Sequence, residues 1–315
     1  MESSSSELYL PLISNEHLCL PLAINVVSKY WNIDLPISEA KENEKKYTNL
    51  NGSILIEGIE LAERYGLASL ILNSSLGELK KIIDMGIPPI VILPGLYQTT
   101  QHASIISGYD DIEKTVMHYI PKPDQVGIIP EKQFDKLWHE DNRIMILIAP
   151  TDIIYNIKPQ NNNMEKSNRL YFLSERSNAQ NNVEDAVALL EKSISLNEKN
   201  VTALSALGSM LNKRNSDDCI MYYKKCIDIN NKYYLAYRGL GNYYLKNKQF
   251  KTAEHNYTKA IEINPERFGP IYKNRGIARL NQNKKEDARS DFNNYLKYTR
   301  NPKDSSDVMN LLKKI

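Results

Sequence analysis

A cysteine becomes a nucleophile when its surroundings favour the thiolate and a base stands within reach. Cys19 opens an apolar run with helical spacing, CLPLAINVVSKYW, and Pro21 follows two residues later. Proline fits the first turn of a helix, so the run predicts a helix N-terminus at Cys19. The unpaired N–H groups there favour negative charge on sulfur. The sequence has five histidines to serve as base: His17, His102, His118, His139 and His255. His102 begins the strand-like run HASIISGYDD, where a loop meets a sheet. His17 is too near Cys19 in sequence to face it, His118 lies inside an apolar strand, and His139 follows Trp138 on a helix. Two readings stand at this point. In one, Cys19 is a nucleophile and His102 its general base. In the other, Cys19 is a small core thiol and His102 a hydrogen-bonded strand-end residue.

The elements that would position these residues change character near residue 160. Before it, helical patterns come first: the Cys19 run, then SILIEGIELAERYG with Gly66 as a C-cap. LASLIL, PPIVILP, HASIISGYD, TVMHYI and RIMILIAP are short apolar runs bounded by Gly, Pro and Asp, as strands are. GELKKIIDMG and PEKQFDKLW, the latter with Pro130 at its start, read as helices among them. The expectation is an α+β domain over 1–157, with helices on one antiparallel sheet. KPQNNNMEKSN, residues 158–168, lacks apolar periodicity and reads as a linker. Residues 169–315 carry only helical patterns, ending in DSSDVMNLLKKI as a capping helix.

Charge divides the chain at a similar place. Residues 1–150 hold 20 acidic and 12 basic side chains, a net of −8, and residues 151–315 hold 18 and 28, a net of +10. The basic half suits an acidic partner. Three cysteines do not make a disulfide framework, the start MESSSSELYL has no apolar signal core, and no apolar run is long enough for a bilayer. These features lead us to expect a cytoplasmic, reduced protein that binds neither membrane nor nucleic acid. There is no phosphate-cradling loop and no paired Cys/His spacing, so neither metal nor cofactor is expected.

The order of Cys19 and then His102 is that of papain-like cysteine peptidases. CLPLAINVVSKYW and HASIISGYDD resemble the nucleophile and base motifs of the bacteriocin-processing, double-glycine peptidase-like family, and PEKQFDKLWHEDNRIMILIAP resembles its closing helix and strand. The resemblance spans about residues 7–150. It implies a papain-like fold, thiol-dependent cleavage of a peptide or protein substrate, and catalytic roles for Cys19 and His102. Leu20 replaces the family's glycine. The oxyanion-hole glutamine falls at Ser14, with Asn15 the nearest amide, and the third catalytic residue, an aspartate, falls at Ile120, with Asp124 out of register. Losing an oxyanion donor costs on the order of 10²–10³ in kcat. Losing the residue that orients the histidine costs up to ~10⁴ in a serine triad. The alternative is therefore a catalytically impaired pseudo-peptidase acting as a scaffold.

The second half repeats at about 34 residues. YYLAYRGLGNYYLKNKQFKTAEHNYTKAIEINP carries Tyr237, Leu240, Gly241, Tyr244, Ala253, Tyr257, Ala260 and Pro265, the signature positions of a tetratricopeptide repeat. The next unit repeats them as Tyr272, Gly276, Ala288 and Phe292, but has Arg275 where an apolar residue is expected. The preceding unit has Leu207, Gly208, Cys219, Tyr223 and Cys226, and a weaker first unit has Ala186 and Leu190. Cys219 and Cys226 take small-residue positions and read as packing groups. The resemblance to tetratricopeptide solenoids implies a groove that binds a protein partner. Its groove positions fall on Arg238, Asn242, Lys273 and Asn274, which resemble half of a carboxylate clamp for an acidic peptide.

Overall fold

The computed structural model describes residues 5–10, 19–36, 38–39, 42, 54–94, 101–120, 125–157, 162–263, 265, 269–298 and 302–313. It divides into two compact units, with the boundary between Asn200 and Val201.

The first unit is built on a sheet. Its strands are β1 (Ser5–Glu7), β2 (Leu67–Asn73), β3 (Ile90–Pro94), β4 (Gln101–Asp110), β5 (Thr115–Ile120), β6 (Gln125–Pro130) and β7 (Ile144–Pro150). All pairs are antiparallel and the order is β2-β7-β3-β4-β5-β6, with β1 also paired to β4. Its helices are α1 (Cys19–Tyr30), α2 (Leu55–Arg64), α3 (Leu76–Asp84), α4 (Glu131–Glu140), α5 (Thr151–Asn156), α6 (Asn162–Ala179) and α7 (Val183–Leu196). The expected α+β order is present. β1 and β6 were not anticipated from the sequence: SSE and QVGIIP show little apolar alternation.

Local chemistry sets the ends of these elements. Ser75 and Glu78 form a capping box at α3, the Glu78 N–H donating to Ser75 Oγ at 3.2 Å and the Ser75 N–H to Glu78 Oε2 at 3.0 Å. Gly66 and Gly86 end α2 and α3 with φ of 90° and 77°, a conformation glycine adopts without strain. β1 can lie beside β4 because residue 108 is glycine: a Cβ there would sit 2.5 Å from the Ser6 carbonyl oxygen. One face of the sheet, with Val91, Leu93, Ile106, Met145 and Leu147, packs on Leu79 and Ile83 of α3 and on Phe134 and Trp138 of α4. Trp138 is fully buried, and its indole N–H donates to the Ile144 carbonyl at 2.9 Å. On the other face Ser69 donates to Glu63 of α2 at 2.6 Å. A Cβ on Gly58 of α2 would meet Ile24 of α1, so these two helices touch.

Helix α6 begins at Asn162, inside the stretch read as a linker, and belongs with the sheet. Its buried face begins with polar Ser167 and Asn168, ahead of Tyr171 and Phe172, which is why apolar periodicity fails over 162–168. Asn168 donates to the Ile71 carbonyl at 3.0 Å and to Asn73 Oδ1 at 2.9 Å. Ser167 donates to the Ser193 carbonyl of α7 at 2.8 Å. Arg169 and Arg176 pair with Glu63 and Glu60 of α2.

The second unit is helical: α8 (Val201–Lys213), α9 (Cys219–Ile229), α10 (Tyr234–Lys246), α11 (Phe250–Ile263), α12 (Gly269–Leu280), α13 (Lys285–Tyr298) and α14 (Pro302–Lys313). No strand occurs among its described residues. A left-handed residue ends the first helix of each of four pairs: Asn181, Asn215, Lys248 and Asn283, with φ of 64°, 63°, 57° and 62°. At each, the next N–H bonds back five residues, Asn182 to Ser177, Ser216 to Leu211, Gln249 to Tyr244 and Lys284 to Arg279. This is the Schellman turn. It marks α6–α7 as a repeat of the same plan despite its weak sequence signature. Within pairs, glycine admits an aromatic ring: a Cβ on Gly241 would lie 2.6 Å from Tyr257. Cys219 and Cys226 are fully buried, and burial pushes their thiols up to about 11 and about 12, as packing groups rather than nucleophiles. Arg275, the departure from the repeat pattern, donates to buried Asp291 at 2.7 Å, and Arg279 donates to the same carboxylate at 3.0 Å.

Candidate functional site

Two places hold the residues that the sequence singled out. In the first unit, Cys19 is the first described residue of α1. The side chains of Cys19 and Ile120, and residues Ser14, Asn15 and Asp124, lie outside the described set. His102 is the second residue of β4 and pairs with Leu93. Strand pairing puts His102, Ser104 and His118 on the face that carries Val91, Leu93 and Ile106. Ser104 is buried, with Oγ 3.2 Å from His118 Nδ1 and 3.3 Å from the Tyr119 carbonyl oxygen.

This environment sets the charge of both imidazoles. Burial holds His102 below the ordinary histidine range, and the neighbouring His118 lowers it further. Burial also lowers His118. A carboxylate beside His102 would raise its basicity and stabilise the imidazolium that acyl transfer creates. His118 has the opposite effect. Sequence reasoning placed His118 in an apolar strand and missed this pairing, because it depends on the β4–β5 register. Among the described residues, no group of three His, Cys, Asp or Glu side chains gathers to hold a metal. No helix among them is long and apolar enough to cross a membrane.

In the second unit, Asn242 of α10 and Asn274 of α12 meet directly. Asn242 Oδ1 accepts from the Tyr257 hydroxyl at 2.8 Å and from Asn274 Nδ2 at 3.1 Å. Two donors occupy that oxygen, which fixes the orientation of the Asn242 amide. Burial raises the Tyr257 phenol and pushes Tyr223 up to about 12. The charge of Arg238 opposes both shifts. Lys273 Nζ stands 5.8 Å from the centre of the Tyr295 ring, a cation–π contact. All four expected groove residues are thus half-buried on the first helices of consecutive pairs. Tyr257, which fixes the Asn242 amide, was read from the sequence only as a packing position.

Known proteins resemble the helical part. The tetratricopeptide repeat family matches residues 234–267. No curated protein matches the chain. Among solved structures, the MamA protein is similar at 25% identity, with a TM-score of 0.38 over 42% of this chain and 72% of that one. TTC0263, a thermophilic TPR protein of Thermus thermophilus, is similar at 17% identity and TM-score 0.40, over 44% and 76%. Pseudomonas aeruginosa pilF is similar at 19% identity and TM-score 0.43, over 48% and 71%. Residues 234–267 are a tetratricopeptide repeat, and the helix pairs beside it share its turn geometry.

Proposed function

We propose that this chain is a protein-interaction scaffold whose repeats hold an acidic peptide segment of a partner, and whose first unit is a papain-like domain with impaired catalysis. The observation that carries the binding role is the Asn242–Asn274–Tyr257 triad. With Asn242 Oδ1 occupied, the remaining Asn242 N–H groups are donors, as are Arg238 and Lys273. A run of donors and two cations suits carboxylates and peptide carbonyls. The impaired catalysis rests on the place of His102 on a sheet face shared with His118, where burial and the second imidazole both lower its basicity. Calorimetry with the full chain and a synthetic acidic peptide tests the binding role. Arg238→Ala with Lys273→Ala is expected to weaken binding by about tenfold per lost charge-assisted contact. Binding that ignores both the double substitution and added salt would overturn it.

A second reading, thiol-dependent hydrolysis of a peptide substrate by Cys19 and His102, is favoured by the place of Cys19 on α1 and of His102 on β4 within one compact unit. A thiol-reactive peptide probe at pH 6–8 separates the two. Labelling of Cys19, with Cys219 and Cys226 silent and cleavage lost in Cys19→Ala, supports the enzyme. No cleavage by either protein supports the scaffold.

A further inference from the structure

The two edges of the sheet are treated differently. β2 forms one edge and β6 the other. Ser74 N–H donates to the Arg143 carbonyl, continuing the β2–β7 ladder, so even-numbered β2 residues turn their backbones inward and odd-numbered ones outward. Ile71 is outward, and Asn168 of α6 takes its carbonyl. That edge is covered within the unit.

The β6 edge can be read in the same way. Glu131 N–H donates to the Lys114 carbonyl, one step beyond the Thr115–Pro130 pair. Residues 125, 127 and 129 therefore bond to β5, and Val126, Ile128 and Pro130 direct their backbone groups away from the sheet. Ile106 N–H, bonded to the Pro89 carbonyl, gives the same parity when carried across β4 and β5. Among the described residues β6 pairs only with β5. Its protection is confined to its last residue, Pro130: Gln125 to Pro130 contain no charge, the β5–β6 register has no bulge, and Ile128 is 67% exposed. Pro130 alone lacks an outward donor.

We infer that β6 is a self-pairing edge, through which two copies of this chain join their sheets about a two-fold axis. The backbone pattern fits a second copy. In an antiparallel pair centred on Gly127, Val126 faces Ile128 of the other copy and Ile128 faces Val126. Each pair exchanges two N–H···O bonds, so all outward donors of both strands are used. Pro130 falls outside these two pairs, and its missing N–H costs no bond. The uncharged strand brings no like charges together at the axis.

The outward parity of residue 128 supplies a clean test. Ile128→Pro removes an edge donor without touching the β5–β6 ladder, since that N–H takes no part in it. Ile128→Lys keeps the donor and puts a charge at the axis. Sedimentation of the full chain over a wide concentration range is expected to show twice the 36.2 kDa chain mass for the parent, and the single-chain mass for both variants, with unchanged circular dichroism. Amide exchange at Val126 and Ile128 is expected to slow as concentration rises in the parent only. A parent that stays monomeric, or a dimer that survives both substitutions, overturns the inference.

Discussion

Asp291 is buried and His102 half-buried, and each meets a different neighbour. Asp291, 1% exposed, receives Arg275 and Arg279. His102 has a second imidazole, His118, on the same sheet face. A buried charge is tolerable when an opposite charge and hydrogen bonds compensate it. Without one, the group gives up its charge instead. The helical unit thus keeps an ionic centre between α12 and α13, extended through Arg279 to Glu254 of α11 and from there to Lys284. The sheet unit instead lowers the basicity of two imidazoles. The difference suits a repeat region that holds its helices in register and a strand site that cannot easily form an imidazolium.

The comparison breaks first at Asp291. Asp291→Ala leaves two guanidinium groups without their buried partner, and chemical denaturation should show a loss of ~3–5 kcal/mol. Arg275→Leu restores the apolar residue of the repeat pattern and leaves Arg279 on Asp291, so it should cost less than half as much. Equal losses would mean that the ionic centre is not what holds these helices. The imidazole pair is tested by pH. Folded His102 and His118 lie below the unfolded value of about 6.5, so below that value the unfolded chain binds more protons. Stability should be full above about pH 6.5 and fall as pH drops towards the lowered folded values. The double variant His102→Asn with His118→Asn should flatten that fall, and an unchanged slope would assign it elsewhere. The smallest effect concerns Lys248, the one non-Asn residue among the four left-handed repeat turns. Lys248→Gly should raise the thermal midpoint slightly, because relief of a left-handed Cβ penalty of about 1–2 kcal/mol outweighs the added unfolded-state entropy of about 0.4–1 kcal/mol. No gain would show that the turn is strained for another reason.

Sequence carried different amounts of this. The repeats were readable because Leu240, Gly241, Ala253 and Tyr257 act within one helix pair, and the same spacing recurs along the chain. Strands β3, β4, β5 and β7 were readable as apolar runs. The stretch 162–168 was not readable as helix, because Ser167 and Asn168 bury hydrogen-bonding groups where a pattern search looks for apolar ones. The groove asparagines could be placed by position, but their lock on Tyr257 could not, since it closes between three helices. The pairing of His118 with His102 follows from strand register, which no local pattern encodes.

The bond from Asn168 to the Ile71 carbonyl also bears on how such a chain can be cut and joined. A recombination event that exchanged repeat arrays at the start of the helical motif, near residue 162, would strip a helix from the sheet and bare the β2 edge. Breaks after Asn200, where the compact units part, leave that edge protected. The first helix pair is therefore structurally part of the sheet unit although it is shaped like the later pairs, and exchanges confined to the later pairs leave the sheet edge covered.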